Sequence, residues 1–183
     1  DYIIYSVGTP PAIEIAAPTS GDVVDEGDVV TFQATISDGE DTPTDLSLSW
    51  ESNLDGEFST QGSDSTGATL FTENGLSTGT HTITATVTDT DGLYAQGVVL
   101  LQVNGLPTAP EVAQTPDPAT TSDDLVVTIT ADATDSDGDP ISYSYSWYID
   151  GTLDSETSSQ LSSGLYNGAT VQCTATASDG TDS

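Results

Sequence analysis

The segment Val29-Val-Thr-Phe-Gln-Ala-Thr-Ile36 places an apolar side chain at every second position after Val29. Strict alternation in a stretch rich in Val, Ile and Thr is typical of a β-strand with one buried face. The same alternation recurs over residues 80–87, 125–133 and 169–177. Asp-Gly, Asn-Gly and Ser-Gly pairs separate these segments and predict turns, and no long amphipathic helical stretch occurs. The sequence therefore predicts an all-β protein.

The chain also repeats itself. A shift of 97 positions superposes residues 14–50 on residues 111–147 without a gap, and 11 of those 37 positions are identical. Towards the C-terminus the best offset falls to 90, which matches Cys173 to Ile83. Self-similarity of this kind indicates repeated structural units. We therefore predict two related β-domains, joined near the Pro-containing segment 104–110.

Three features of the strand pattern carry a family resemblance. They are Glu26-Gly27 before the second strand, the Asp-rich loop Asp135-Ser-Asp-Gly-Asp139, and a Trp on the third strand, at Trp50 and Trp147. With these features the chain resembles the bacterial and archaeal Ig-like families, notably the PKD and cadherin-like repeats of cell-surface proteins. The resemblance covers nearly the whole chain. It implies tandem Ig-like β-sandwich domains of about seven strands, each with its Trp packed between two sheets.

The two domains are expected to end differently. Domain 1, residues 9–105, closes with the apolar strand 97–103, whereas domain 2, residues 106–183, shows no equivalent strand and is expected to lack its last one. Residues 1–8 resemble the closing strand of domain 1 and are followed, as it is, by a Pro-containing turn. We therefore expect this N-terminal strand to complete a neighbouring domain. Its proposed polymerisation residues are Tyr2, Ile3, Ile4, Tyr5 and Val7.

Two explanations for this arrangement remain open. In the first, the sequence is an excerpt of a longer tandem-repeat protein. In the second, the N-terminal strand of one subunit adds to domain 2 of the next by donor-strand complementation, which pairs the backbone groups of an open sheet edge and buries alternate side chains. Such a joint is heterologous, so it propagates into a filament. Both explanations describe a head-to-tail string of Ig-like domains.

The charge of the chain excludes several classes of partner. The sequence contains 30 Asp and Glu residues and no Lys or Arg, which gives a formal net charge of -30. Nucleic-acid binding depends on basic residues that neutralise phosphates, and an anionic membrane surface attracts basic rather than acidic segments. We therefore expect neither partner. No apolar run approaches the roughly 18 residues of a membrane-spanning helix, so membrane insertion of this segment is not expected either.

The acidic loops are the main candidates for a binding site. The loop from Asp135 to Asp139 offers three carboxylates at alternate positions, and calcium (Ca²⁺) takes six to eight oxygen ligands. In an Ig-like sandwich the loops after the second and sixth strands share one end, so an interdomain Ca²⁺ site of the cadherin type is predicted there. A solvated Asp-Gly turn is the alternative. The candidate metal ligands are Asp135, Asp137, Asp139, Asp179, Asp182, Asp25, Glu26 and Asp28. A second acidic set is expected at the other pole of domain 1: Asp38, Glu40, Asp41, Asp89 and Asp91.

An enzyme is not expected. With one His, one Cys and no basic residue, the sequence supports no Ser-His-Asp or Cys-His catalytic arrangement and no zinc site. Cys173 falls on the apolar face of its strand and is interpreted as a buried, inert thiol. Tyr143, Tyr145 and Trp147 share one strand face and are assigned to the core, with a carbohydrate-binding face as the alternative.

These features together predict a structural or adhesive filament subunit located outside the cell, at the cell surface. Its partners would be identical subunits arranged head to tail. The alternative is a carbohydrate- or ligand-binding accessory module of a larger secreted protein, with a surface glycan as partner. Fibres that form as concentration rises would favour the filament, whereas a monomer with affinity for glycan would favour the module.

Overall fold

The computed structural model describes residues 8–181, and its regular secondary structure is β-strand throughout. The described residues divide into two compact units on either side of the Asn104–Gly105 bond, one residue before the expected boundary. No described segment forms a helix with the length and apolar character that a membrane crossing requires. Several residues of the sequence analysis lie outside the described part, so the expectations for them stay predictions: Tyr2, Ile3, Ile4, Tyr5, Val7 and Asp182.

Domain 1 consists of two facing β-sheets. Its described strands are β1 (Ala12–Ala17), β2 (Asp22–Asp25), β3 (Val30–Ser37), β4 (Ser47–Ser52), β5 (Gly56–Ser59), β6 (Ala68–Glu73), β7 (Gly79–Thr88) and β8 (Tyr94–Asn104). One sheet has the order β1-β3-β6, and the other has the order β2-β8-β7-β4-β5. The short strand β2 runs parallel to β8, and the remaining pairs are antiparallel.

The core of domain 1 follows from the alternation of its strands. On β3 the even-numbered side chains from Val30 to Ile36 are buried, while the side chains between them are exposed. Trp50 on β4 is fully buried, and its ring lies 5.4 Å from the ring of Phe32 and 5.7 Å from that of Phe71 on the opposite sheet. The expected Trp between two sheets is therefore present.

Domain 2 repeats this plan with fewer strands. Its described strands are β9 (Glu111–Thr115), β10 (Leu125–Ala131), β11 (Ser142–Ile149), β12 (Thr152–Leu153), β13 (Gln160–Leu161) and β14 (Val171–Ser178). The sheet β9-β10-β13 corresponds to β1-β3-β6, and the sheet β12-β11-β14 corresponds to β5-β4-β7. Trp147 on β11 is fully buried, as Trp50 is in domain 1.

Strand pairing corrects one equivalence that the sequence alignment suggested. Trp50 pairs with Ala85 in domain 1, whereas Trp147 pairs with Cys173 in domain 2. By strand pairing, β14 therefore corresponds to β7 with an offset of 88 (173 minus 85) rather than 90, and Cys173 occupies the position of Ala85 instead of Ile83. A slip of two residues keeps every side chain on the same face of the sheet, so the alternating pattern alone does not detect it.

Candidate functional site

The outer edge of β14, here called the open edge, distinguishes domain 2 from domain 1. In domain 1 the corresponding strand, β7, is paired along its whole length with β8, and β8 is followed by β2. In the described part of domain 2, β14 pairs with β11 on one side and ends the sheet on the other. Among residues 8–181, no strand pairs with the backbone N–H and C=O groups of the open edge, and an edge of this kind is a template for strand addition.

The side chains next to the open edge are correspondingly less buried. The inward residues of β7 are fully buried, and Val99, Leu101 and Val103 of β8 continue the same buried face beside them. On β14 the equivalent side chains of Val171, Cys173 and Ala175 are only half-buried. Of the residues that the structure describes, fourteen form the buried apolar cluster of domain 1, against four in the main cluster of domain 2. The second core is small on the side where a further strand would pack.

A groove with a volume of about 620 Å³ lies beside the start of β14. Its apolar wall includes Leu125, Leu165 and Val171. On one side it is bounded by residues 117–121, which precede β10 as β2 precedes β3 in domain 1. On the other side it is bounded by the segment that leads into β14. The groove therefore occupies in domain 2 the position that β8 fills between β2 and β7 in domain 1.

The acidic loop of domain 2 brings three of the candidate ligands together. Carboxylate oxygens of Asp135, Asp137 and Asp139 all lie within 4.8 Å of one another. Oδ1 of Asp135 accepts hydrogen bonds from the backbone N–H groups of Asp137 (2.8 Å), Gly138 (3.0 Å) and Asp139 (3.3 Å). Oδ2 of Asp135 is buried and accepts no hydrogen bond in the described part of the chain. This loop can offer several oxygen ligands to a hard cation.

Within the described part of domain 2, the group of three carboxylates does not include Asp179. Oδ1 of Asp179 accepts hydrogen bonds from the backbone N–H (2.8 Å) and the hydroxyl (2.9 Å) of Thr181. Asp182 lies outside the described residues. Asp25, Glu26 and Asp28 follow β2 in domain 1 and form no group of three ligating side chains within the described part of that domain.

Domain 1 repeats the loop geometry at Asp38, the residue that corresponds to Asp135. Oδ1 of Asp38 accepts the backbone N–H groups of Asp41 (2.9 Å) and Glu40 (2.7 Å), and these hydrogen bonds hold the pKa of the Asp38 carboxyl below its usual value. Oδ2 of Asp38 is buried and, among the described residues, has no hydrogen-bond partner. Asp38 and Asp135 thus share one arrangement among the described residues: Oδ1 accepts backbone hydrogen bonds, and Oδ2 is buried without a hydrogen-bond partner.

The only His of the chain meets a Ser and an Asp in the core of domain 1, a proximity that the sequence analysis did not find. Nδ1 of His81 lies 2.7 Å from Oγ of Ser52 and 3.7 Å from a carboxylate oxygen of Asp55. Nε2 of His81 lies 2.6 Å from the carbonyl oxygen of Ser77, so Nε2 must donate. A catalytic triad needs the Ser and the Asp on opposite ring nitrogens. Here both face Nδ1 and the His is fully buried, so the group is a structural one.

Of the three aromatic residues assigned to the core, Trp147 is buried and Tyr145 packs against its cluster, whereas Tyr143 is half-buried and outside that cluster. Tyr145 and Cys173 pack against the buried cluster around Trp147. The hydroxyl of Tyr143 accepts the backbone N–H of Ala133 at 2.8 Å, which ties the strand to the loop that precedes it. Cys173 is half-buried rather than fully buried, and its burial raises the pKa of the thiol. A raised pKa leaves less thiolate and lowers reactivity.

Residues 11–85 match the family model of the bacterial Ig domain. The match runs from β1 into β7, so domain 1 is an Ig-like β-sandwich, and the corresponding sheets of domain 2 support a tandem of such domains.

The fibronectin(III)-like modules of Clostridium thermocellum CbhA are similar to this chain at 18% identity, with 50% of this chain and 94% of that chain covered and a TM-score of 0.42. No curated protein matches the sequence.

Proposed function

We propose that this chain is a structural or adhesive subunit of an extracellular filament, in which Ig-like domains follow one another head to tail. Bacterial Ig domains commonly occur in extracellular and surface proteins, and a module of this kind is structural or accessory in role. Donor-strand complementation joins one subunit to the next in this proposal. The open edge of β14 is the observation that carries it.

The open edge supports assembly because covering it is energetically favourable. An added strand pairs the free backbone groups of β14 and covers its half-buried apolar side chains. Burial of one large apolar side chain contributes roughly 1.5–3 kcal/mol. Three inward side chains on an added strand therefore contribute several kcal/mol, from which the cost of ordering the strand is subtracted.

Calcium is proposed to stiffen the filament at the acidic loop of domain 2. The convergence of the carboxylates of Asp135, Asp137 and Asp139 supports this. The buried, unbonded Oδ2 of Asp135 supports it independently, because a buried carboxylate oxygen without a donor is costly unless a cation or another donor reaches it. The loop alone supplies fewer oxygens than the six to eight that Ca²⁺ takes, so waters or further residues would complete the shell.

A catalytic role is not part of the proposal. Ig-like domains are typically non-catalytic. The nearest approach to a catalytic constellation, Ser52, His81 and Asp55, has its His fully buried and both ring nitrogens bonded within the core. The imidazole of His81 has no exposed surface in the folded domain.

The test of the proposal is the deletion of residues 1–7. The full chain is expected to form fibres whose amount rises with protein concentration, measured by sedimentation and negative-stain electron microscopy. The deleted chain is expected to remain monomeric, with the Trp50 fluorescence of domain 1 unchanged. A synthetic peptide of residues 1–7 in excess should stop growth of the full chain, and a control peptide with Ser at the positions of Ile3, Tyr5 and Val7 should not.

Two results would contradict the proposal. Fibres from the deleted chain that match those of the full chain would show that residues 1–7 are not the joint. A full chain that stays monomeric at all concentrations and binds a glycan would instead support the accessory-module alternative.

A further inference from the structure

We propose that domain 1 binds a second copy of this chain through the outer face of its larger sheet, in a side-by-side contact with a twofold axis between the copies. The contact surface, here called the neutral face, consists of the outward side chains of β7 from Thr80 to Thr86, those of β8 from Gln96 to Gln102, and Val23 of β2. This inference goes beyond the proposed function, because it uses neither residues 1–7 nor the open edge.

The neutral face exposes three large apolar side chains close to one another. Val98 is 56% exposed, Leu100 is 47% exposed and Val23 is 59% exposed. Val98 and Leu100 are alternate residues of β8, and Val23 pairs with Gln102, the next outward residue of that strand. Val24, which follows Val23, packs against the core instead. An exposed apolar patch with a polar rim marks an interaction surface.

Polar side chains frame this apolar patch and are already held in place. Threonines of β7 lie opposite Val98 and Leu100. At one end of the patch, Nε2 of Gln96 donates a hydrogen bond to Oγ1 of Thr86 at 3.0 Å. At the other end, the hydroxyl of Thr80 donates to Oε1 of Gln102. Side chains that are restricted before binding lose less entropy in an interface, and an apolar centre within a polar rim is the usual anatomy of a protein–protein contact.

The neutral face also lacks the charge that the rest of the chain carries. The sequence has 30 acidic residues and no basic one, yet the outward positions of the neutral face hold only Thr, Gln, Val and Leu. On the β4 side the first outward carboxylate is that of Glu51, which pairs with Thr84 and so lies two strands, or about 10 Å, from Val98. On the β2 side the carboxylate of Asp22 accepts the backbone N–H of Thr19 at 2.8 Å.

This distribution of charge favours a second copy as the occupant. Each copy has a net charge of -30, so repulsion opposes contact between most parts of two copies. The repulsion is smallest where both copies present uncharged side chains, and a twofold axis brings the same face of each copy together. A basic partner would gain more by binding the acidic loops than by covering the neutral face.

The outer face of the opposite sheet, β1-β3-β6, provides a comparison within the same domain. Its outward positions include the exposed carboxylate of Glu14 on β1. Among its described strands, Leu70 is the one exposed large apolar residue. That face therefore offers neither the apolar patch nor the absence of charge, and its residues serve as matched controls.

The size of the neutral face predicts a weak contact. Three strands spaced by about 4.8 Å, each with about seven residues at 3.4 Å per residue, cover roughly 350 Å² per copy. A stable interface of standard size buries about 800 Å² per partner. We therefore expect a dimer that dissociates on dilution, and many such contacts would act together only where copies are already held in a row.

The first test is sedimentation velocity of the full chain, which separates monomers, dimers and fibres. Dimers are expected at high protein concentration, and NaCl should strengthen them because it screens the repulsion between copies. Leu100→Glu should weaken dimerisation by at least about tenfold, since it places a charge inside the contact. Leu70→Glu adds the same charge on the opposite face and should change dimerisation less than about twofold. Unchanged Trp50 fluorescence shows that domain 1 stays folded in both variants.

The second test is crosslinking with a short bis-maleimide reagent and does not depend on the Leu100 variant. Val98→Cys in a Cys173→Ala background places one thiol near the centre of the neutral face, so two copies should be joined through the same residue. Thr35→Cys, at an exposed position of β3 on the opposite face, is the matched control. It should remain a monomer on a denaturing gel.

Several outcomes would overturn the inference. They are a chain that stays monomeric at every protein and salt concentration, equal weakening by the two Glu variants, and equal crosslinking of the two Cys variants. Association that Ca²⁺ promotes and NaCl of equal ionic strength does not would place the contact at the acidic loops instead. Filaments without Val98 crosslinks would overturn the neutral face and leave the filament proposal standing. Crosslinked dimers without filaments would support the neutral face and contradict the filament proposal.

Discussion

At Gly67 the backbone has a φ of +85°, and an added Cβ would overlap the carbonyl oxygen of Ile36. The backbone cannot easily move away, because the carbonyl of Gly67 accepts the N–H of Ile36 at 2.9 Å. Gly67→Ala therefore combines left-handed strain with a steric clash and should destabilise domain 1 by roughly 2–4 kcal/mol. Urea unfolding followed by Trp50 fluorescence, in a Trp147→Phe background, measures the change.

The matched control for this substitution is Gly62→Ala. Gly62 has no heavy atom within 4 Å of an added Cβ and does not have a left-handed φ. The control should change stability by less than about 0.5 kcal/mol. Similar losses from both substitutions would show that the Ile36 carbonyl does not restrict position 67.

At the scale of elements, the Asp turns link stability to pH. The carboxylate of Asp64 accepts hydrogen bonds from the hydroxyl (2.6 Å) and backbone N–H (2.7 Å) of Thr66 and from the N–H of Ala68 (3.1 Å). These bonds hold the pKa of Asp64 below its usual value. A carboxyl whose pKa is lower in the folded state stabilises the fold above its unfolded pKa of about 3.9 and loses that effect as pH falls through the folded-state pKa.

Asp64→Asn should therefore lower the melting temperature at pH 7, and the difference from the parent chain should shrink as pH falls below about 4. Calorimetry between pH 7 and pH 2.5 measures this. Glu57→Gln, on the exposed strand β5, removes the same charge as a control. A difference that stays constant over this pH range would mean that the ionised form of Asp64 is not what stabilises the turn.

The sequence predicted the long strands and missed the short ones for the same physical reason. Alternation located β3, β7, β10 and β14 to within about two residues, because each has seven or more residues with one buried face. A strand of two residues, such as β12 or β13, is too short to show an alternation of buried and exposed side chains. The pairing of β14 was also missed, since a two-residue slip preserves the alternation.

In the candidate site, contacts between residues close in sequence were predictable, whereas contacts between distant residues were not. The loop from Asp135 to Asp139 lies within five consecutive residues, so its carboxylates could be predicted to meet, and three of them do. The contact of His81 with Ser52 depends on the pairing of β7 with β4, 29 residues apart. Sequence pattern does not supply that register, and the contact was therefore not predicted.

At the scale of the whole molecule, the two domains should differ in stability. The buried apolar cluster of domain 1 has fourteen residues, against four in that of domain 2, and apolar burial is the main driving force for folding. In the absence of an added strand, domain 2 should unfold at a lower urea concentration than domain 1. Trp147→Phe and Trp50→Phe variants leave one fluorescent reporter in each domain and resolve the two transitions.

The peptide of residues 1–7 provides the control for this ordering. A ligand that binds only the folded state stabilises it by mass action, so the peptide should raise the urea midpoint of domain 2 and leave that of domain 1 unchanged. A single transition, identical for both reporters with and without peptide, would contradict both the unequal stability and the binding of the peptide to domain 2.

The net charge of -30 makes the response to salt a test of the proposed calcium site. Any salt screens the repulsion among exposed carboxylates, whereas only a specific site distinguishes Ca²⁺ from Na⁺ at equal ionic strength. Millimolar Ca²⁺ should therefore raise the melting temperature of domain 2 more than Na⁺ does. Asp139→Asn should abolish this excess, because it removes one of the three converging carboxylates. Glu111→Gln, which removes one exposed charge at the start of β9, should retain it. Equal effects of the two salts on the melting temperature would contradict a specific calcium site in the acidic loop. Equal effects of the two substitutions would contradict it as well.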